Sequence, residues 1–215
     1  MISPPERSAE RDAAILSLLP HIQFDGWTRI ALSHALAATG QHPDDALLLF
    51  PDGATDMIEI FCDLADRRMT EDAAALDLSS LRLPERVRAV IALRLARNRP
   101  HKEAIRRALG VLALPTNARI AAACTARTVD AIWHAAGDKA ADVSWYTKRA
   151  SLAAIYAATL LFWLHDTSTD DAATLEFLDR RLAGIARIGT MRRRAEEFLA
   201  RFTPPRFARV PPGAP

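Results

Sequence analysis

Cysteine, glycine and strand-like patterns are scarce in this chain of 215 residues. It has only eight glycines and few alternating runs of β-branched residues, whereas Ala, Leu and Arg abound. Because strands normally show such alternation between turn residues, the sequence predicts an all-helical protein. The two cysteines, Cys62 and Cys124, lie far apart in helical patterns. We expect them to be buried free thiols in a reducing compartment.

The chain also lacks recognisable catalytic motifs. Its six histidines form no His-x-x-x-His pair, and there is neither a phosphate-binding glycine loop nor a nucleophile elbow. His165 and Asp166 could form an acid-base pair, but a histidine at a helix end more often interacts with the helix dipole. The sequence therefore predicts no catalytic residue, no metal site, no cofactor and no enzymatic activity.

Charge and targeting signals are equally sparse. A formal net charge of +2 does not by itself indicate nucleic-acid binding. The first residues, MISPPERSAERDAA, contain neither an apolar signal core nor an Arg-rich, acid-poor presequence. These features predict a cytoplasmic protein of bacterial type.

Hydrophobic periodicity and turn residues delimit the expected helices. The predicted helices are 6–19, 27–38, 43–50, 54–69, 84–98, 102–112, 117–136, 142–166 and one that begins near residue 171, with 21–26 as a turn. The last segment, 203–215, contains five of the 13 prolines, and we expect it to be disordered.

The helix over 142–166 is the element around which we expect the chain to be organised. From Ala150 to Leu164 it has no charged residue, no glycine and no proline. As a helix these residues span roughly 22 Å. This is too short for a membrane span, which needs ~20 residues. We therefore predict a buried central helix. Its start mixes charges with large aromatics, a combination typical of recognition surfaces.

The first 70 residues follow the order of a helix-turn-helix domain and resemble the N-terminal domain of tetracycline-repressor-type regulators, particularly at Leu49-Phe50-Pro51-Asp52. DNA binding depends on Lys and Arg against phosphates, but there is neither between Arg29 and Arg67. The expected recognition helix instead begins with Pro43-Asp44-Asp45. We therefore predict that this domain keeps the fold without binding nucleic acid.

Three stretches together resemble the ubiquinone (coenzyme Q) biosynthesis accessory family. They are GWTRIALSHAL…LFPDGATDMIEIFCDLADRRM, DVSWYTKRASLAAIYAATLLFWLHD and TLEFLDRRLAGI. The resemblance implies a tetracycline-repressor-like fold with an N-terminal three-helix domain and a larger helical domain that binds isoprenoid lipid. It also implies a homodimer with peripheral contact to the inner membrane. The implied partner is the di-iron quinone hydroxylase, and the partner-binding patch falls on Asp142, Trp145, Tyr146 and Arg149.

Small and bulky apolar residues alternate in the central helix and in the Ala-rich helix before it. Such helices either pack closely or leave room for a guest, and the resemblance favours a cavity. The expected lipid-binding residues are Leu152, Ile155, Tyr156, Thr159, Leu160, Trp163, Cys124 and Trp133.

The C-terminal region combines nine arginines between residues 174 and 209 with an apolar stripe. A basic amphipathic helix of this kind suits an anionic membrane surface, although the stripe could equally fold onto the protein's own core. The expected membrane-binding residues are Met191, Phe198, Leu199, Phe202, Arg192, Arg193 and Arg194.

These observations predict four segments: a degenerate helix-turn-helix domain (1–52), a lipid-binding and dimerisation domain (53–189), a membrane-surface helix (190–202) and a proline-rich tail (203–215). The predicted function is presentation of an isoprenoid quinone intermediate to the demethoxyubiquinone hydroxylase. A ligand-responsive transcription regulator and an enzyme on a helical scaffold remain as alternatives.

Overall fold

The structure is a computed structural model that describes residues 3–138 and 144–184, apart from the side chains of Ser144 and Trp145. Within these ranges the chain is helical and contains no strand, so the predicted all-α class is confirmed. The helices are α1 (Ala9–Leu18), α2 (Ile22–Asp25), α3 (Arg29–Ala38), α4 (Asp45–Leu49), α5 (Ala54–Ala74), α6 (Leu83–Asn98), α7 (Lys102–Leu112), α8 (Ala118–Ala135), α9 (Ser144–His165) and α10 (172–184).

Local signals explain most of these boundaries. Thr28 precedes α3, and its Oγ1 accepts a hydrogen bond from the Ala31 amide at 3.1 Å, as expected for a helix N-cap. Gly53 adopts φ +67° immediately before α5, a conformation that favours glycine. The prediction was wrong at residues 21–26, where a short helix replaces the expected turn, and at α5, which extends to Ala74 instead of residue 69.

Helix α5 is the organising element of the described chain. It packs against α1, α6, α7 and α8 and buries Met57, Ile58 and Ile60. The prediction that residues 142–166 occupy this position was wrong. The acidic residues of α5 do not keep it at the surface, because Asp63 and Asp66 are buried in ion pairs with arginines from other segments.

Helix α9 buries only one face. Leu152, Ile155 and Trp163 lie on the buried side, whereas Ala154 and Leu161 are exposed. The prediction of a helix buried on nearly all sides was therefore wrong. The absence of charged residues did not predict burial here. Much of the uncharged stretch is alanine, which occurs both at the surface and in the core.

The N-terminal helices keep the helix-turn-helix order but present an apolar tip. Leu47 and Leu48 on α4 are 56% and 80% exposed. The three arginines of this region turn back onto the protein: Arg7 pairs with Asp63, Arg11 with Asp56, and Arg29 donates to the Pro51 carbonyl. One apolar core runs from α1 to α10, and the division at residue 52 stays a prediction.

Candidate functional site

A pocket of about 360 Å³ lies between α5, α6, α7, α8 and α9. Helix α7 supplies one wall, since Ile105, Ala108, Leu109 and Leu112 follow each other at helical spacing and share a face. Helices α5 and α9 add further apolar groups, which include Phe61, Ala65, Leu160 and Leu161. The pocket therefore offers a mainly apolar environment of the kind that small-molecule sites use.

Exposure differs between the two ends of the pocket. Leu161 and Ala113 line it at the exposed surface, and Leu161 is 55% exposed. At the other end, Arg94 and Tyr156 are each 7% exposed. The most exposed part of the lining is thus apolar, while four of its polar residues are buried: Arg94, Asn98, Thr128 and Tyr156.

The buried end is a hydrogen-bonded cluster around Arg94. Its guanidinium forms an ion pair with Asp66, and its Nε donates to the Tyr156 hydroxyl oxygen at 2.8 Å. Thr128 Oγ1 donates to Asp66 Oδ2 at 3.1 Å, and Asn98 Nδ2 donates to the Arg94 carbonyl at 2.8 Å. Four helices therefore contribute to one cluster whose formal charges cancel.

Burial and pairing shift the titration of this cluster. Burial raises the pKa of Asp66 to about 6, against the opposing effects of Arg94 and the Thr128 hydrogen bond. Burial also disfavours the Arg94 cation, but the field of Asp66 outweighs this and raises the pKa of Arg94. The pair is thus charged at neutral pH, with Asp66 as the group that titrates within the physiological range.

Both cysteines line the pocket as free thiols. The Cys62 thiol donates to Cys124, which raises the pKa of Cys62 and lowers that of Cys124. Arg127 Nη2 also lies 3.5 Å from Cys124 Sγ. The expectation of free thiols is confirmed, and it is the fold that places them side by side.

The predicted lipid-binding residues divide into two groups. Tyr156, Leu160 and Cys124 line the pocket. The others are not among its lining residues: Leu152, Ile155, Thr159 and Trp163 are buried elsewhere along α9, and Trp133 is half-buried on α8. Trp163 instead packs beneath the Lys102 ammonium, which lies 4.7 Å from its ring centroid.

Sequence reasoning missed the polar end of the pocket altogether. None of Asp66, Arg94 and Asn98 was predicted to be a site residue. A signal was present, because Arg94 lies between Ile91, Leu95 and Asn98 on the buried stripe of α6. Periodicity alone could not identify the counter-ion of Arg94, since Asp66 belongs to another helix.

The predicted partner-binding patch is only partly visible. Asp142 and the Trp145 side chain lie outside the described residues. Tyr146 is 76% exposed, and Arg149 forms an ion pair with Asp130 of α8. The two described side chains therefore lie near the first turns of α9, at the end opposite Leu161.

A second, polar groove of about 720 Å³ includes Arg149. Its wall also contains Asp63, Asp66, Arg127 and Asp130. Asp66 lines this groove while its partner Arg94 lines the apolar pocket. The ion pair therefore forms part of the wall between the two cavities.

The predicted membrane-binding residues, from Met191 to Phe202, lie outside the described residues. In the described part, no single helix combines the length and hydropathy of a membrane span; one pair, Leu83–Leu112 with Pro115–Ala135, does so together but is bent by 96°. Among the same residues, no three His, Cys, Asp or Glu side chains are grouped as metal ligands would be.

Comparison with solved structures shows the fold. A TetR transcriptional regulator from Nitrosomonas europaea superposes with a TM-score of 0.68 at 22% identity, covering 83% of this chain and 99% of that chain. At this identity the likeness concerns the fold alone, and it confirms the predicted tetracycline-repressor-like architecture.

Comparison of sequences shows the family. A family model described as COQ9 matches residues 118–189. The mitochondrial ubiquinone biosynthesis proteins COQ9 of Xenopus tropicalis and Homo sapiens are 32% and 30% identical to this chain. The chain spans 57% of the length of each of these two relatives. The mitochondrial ubiquinone biosynthesis protein coq9 of Schizosaccharomyces pombe is 32% identical over 81% of this chain and 69% of its own length. On this similarity, together with the shared fold, the chain belongs to the COQ9 family.

Proposed function

We propose that this chain is a non-catalytic lipid-binding protein of ubiquinone biosynthesis. It binds an isoprenoid quinone intermediate and presents it to the membrane-associated di-iron demethoxyubiquinone hydroxylase. The observation that carries this proposal is the apolar pocket between α5 and α9 in a chain whose relatives are named for ubiquinone biosynthesis.

The physical basis is desolvation of the lipid. Each CH₂ group that leaves water for an apolar wall contributes ~0.8 kcal/mol, so a lined pocket offers a hydrocarbon chain an alternative to the bilayer. The faces of α7 and α9 supply such a wall, and the exposed Leu161 continues it to the surface.

The partner and the membrane are part of the same proposal. The hydroxylase binds at the start of α9, where Tyr146 is exposed, and residues 190–202 contact the surface of the inner membrane from the cytoplasmic side. The protein is a homodimer, for which the uncharged, exposed stripe of Ala150, Ala154 and Ala157 on α9 is a suitable interface.

Extraction and mass spectrometry of the purified protein test the lipid proposal. We expect a co-purifying isoprenoid quinone, together with a matching mass increase in the native spectrum. Ala121 lines the pocket, and Ala121→Trp should remove the ligand because the indole fills the space.

The matched control is Ala122→Trp, at the neighbouring, exposed position of α8, which does not line the pocket. Both variants should keep the helical circular-dichroism spectrum of the wild type. A wild-type protein that carries no lipid and binds none in titration would contradict the proposal.

The regulator alternative finds no support in the geometry of the N-terminal helices. The tip that would approach DNA presents Leu47 and Leu48, beside Asp44 and Asp45. The arginines of residues 3–52 are all engaged with α5 or with the turn before it. Two of these three arginines, Arg7 and Arg11, are paired with carboxylates, so the attraction of phosphate on which duplex affinity depends is weak at this surface.

A further inference from the structure

We propose that the pocket binds its ligand head first and selects a neutral, oxygen-bearing headgroup. The headgroup lies against Arg94 and Tyr156, and the hydrocarbon chain leaves past Leu161. The inference rests on the proposed function and adds to it the orientation of the ligand and the chemistry that the buried end recognises.

Orientation follows from the distribution of polarity along the pocket. An amphiphile is most stable where its polar part meets hydrogen-bonding groups and its chain meets apolar groups. The hydrogen-bonding groups lie at the buried end, around Arg94 and Tyr156, and the exposed end is formed by Leu161 and Ala113. A chain-first ligand would place hydrocarbon against the polar cluster and its headgroup against leucine.

The volume of the pocket also favours head-first binding. At about 360 Å³ the pocket is near the lower end of the ~300–1,000 Å³ that small-molecule sites occupy. It has room for a substituted ring and the first part of a chain, but a complete polyprenyl tail has to continue outside. The apolar rim at Leu161 suits a chain that extends beyond the pocket.

Selection for a neutral headgroup follows from the charge balance of the wall. Among the described residues that line the pocket, only Arg94 carries a full charge. Its positive charge is compensated by Asp66 through their ion pair. A carboxylate or phosphate in the pocket would add a buried negative charge without a counter-ion, which is strongly disfavoured in an apolar environment. A quinone, phenol or ether oxygen adds none.

The hydrogen-bond donor for this oxygen is Tyr156. Its own oxygen accepts from Arg94 Nε at 2.8 Å, so its hydroxyl proton is available to donate to a ligand. Donation from a guanidinium polarises the hydroxyl and strengthens it as a donor.

The orientation also agrees with delivery to a partner. The headgroup lies against the wall that the Asp66–Arg94 pair forms between the pocket and the polar groove, and this groove reaches Arg149. The reacting end of the ligand is thereby held on the side of the proposed hydroxylase patch.

Calorimetric titration with three probes of equal chain length tests the selection. The probes are a decyl-substituted dimethoxybenzoquinone, decanoate and decyl phosphate, added to the full-length protein below their critical micelle concentrations. We expect the quinone to bind at least tenfold more tightly than either anion. Equal or tighter binding of the anions would overturn the inference while leaving lipid binding intact. Binding of none of the three would overturn the inference and the proposed function together.

Two substitutions separate recognition of the headgroup from general packing. Tyr156→Phe keeps the ring and removes the donor, so it should weaken the quinone about tenfold and leave decanoate unchanged. Asp66→Asn leaves the Arg94 charge uncompensated, so decanoate and decyl phosphate should bind more tightly than to the wild type. Ser80→Ala, which removes an exposed hydroxyl outside the pocket, is the control and should change none of the affinities. Equal weakening of all three probes by Tyr156→Phe, with unaltered thermal unfolding, would count against the inference.

Discussion

The burial of Asp66 and Arg94 in the fold differs from what their sequence pattern indicates. In the sequence, each is a charged residue within a helical pattern, which normally marks a solvated face. In the fold, they are 7% exposed and ion-paired at the buried end of a pocket. A buried pair of this kind is costly to break, because removing one partner leaves the other charge without compensation.

Titration of Asp66 should leave a measurable signature in stability. Its pKa is about 6 in the folded protein, against an ordinary value of about 3.9 in an unfolded chain. The folded state therefore binds more protons between these values, and the contribution of Asp66 to the free energy of unfolding declines as pH rises from 4 to 7. Relative to Asp66→Asn, we expect the wild type to lose up to about 3 kcal/mol over this range in urea titrations.

The facing charges are Arg94 on α6, Asp63 on α5 and Arg127 on α8, all of which remain in the variant. The comparison therefore isolates Asp66, and only the slope with pH is diagnostic. Parallel pH profiles of the two proteins would show that Asp66 does not titrate in this window.

At the scale of elements, the carboxylate of Asp166 links the end of α9 to the first turn of α10. Asp166 follows the last residue of α9 and accepts hydrogen bonds from the amides of Ser168 and Thr174, both at 2.8 Å. These bonds outweigh the opposing effect of desolvation and hold the pKa of Asp166 well below its usual range. The carboxylate thus orients the first turn of α10 against the end of α9.

Substitution of this carboxylate should loosen the junction. We expect Asp166→Ala to destabilise the protein by about 1 kcal/mol at pH 7, the usual cost of losing a helix-capping side chain. Because the folded-state pKa is lowered, this stabilisation is present above about pH 4 and disappears as the pH falls through the lowered value. Chemical denaturation at pH 7 and at acidic pH measures both effects.

Glu176→Ala serves as the control, since Glu176 is exposed on α10 and its pairing with Arg180 at 3.8 Å is loose. It should change stability by less than about 0.5 kcal/mol. If the two variants were equally stable, the hydrogen bonds of Asp166 would have no role in fixing α10.

For the whole molecule, the two ends of α9 carry two different proposed binding sites, one for the partner and one for the lipid chain. The start of the helix carries the exposed Tyr146, and its other end carries Leu161 at the pocket opening. A partner at one end and a lipid chain at the other need not compete for the same surface. The polar groove that includes Arg149 is separated from the pocket by the Asp66–Arg94 pair.

Interaction with the hydroxylase should therefore be separable from lipid binding. We expect Tyr146→Lys to weaken binding of the di-iron hydroxylase at least tenfold in a pull-down or by interferometry, because a cation replaces an exposed aromatic anchor. Lipid content and helicity should not change. Leu48→Lys places the same charge on an equally exposed residue of α4 and should bind the hydroxylase normally. Loss of binding in both variants, or in neither, would remove the patch from the proposal.

The sequence was sufficient for the helical class and for most helix positions, since caps, prolines and apolar periodicity act within one or two turns. Helix α7 was predicted with its observed boundaries, and its amphipathic pattern reflects one wall of the pocket. The resemblance of three stretches to a family was sufficient for the tetracycline-repressor-like fold, which the comparison with solved structures confirmed.

Only the tertiary structure decided which residues meet in the pocket. Tyr156 faces it and Trp163 does not, although both lie on the same uncharged helix, because the position of α7 and α8 selects one face of α9. The Asp66–Arg94 pair was likewise hidden, since charge in a helical pattern does not tell whether a counter-ion from another helix will cover it. Local propensity is encoded residue by residue, whereas burial depends on how helices distant in the chain pack together.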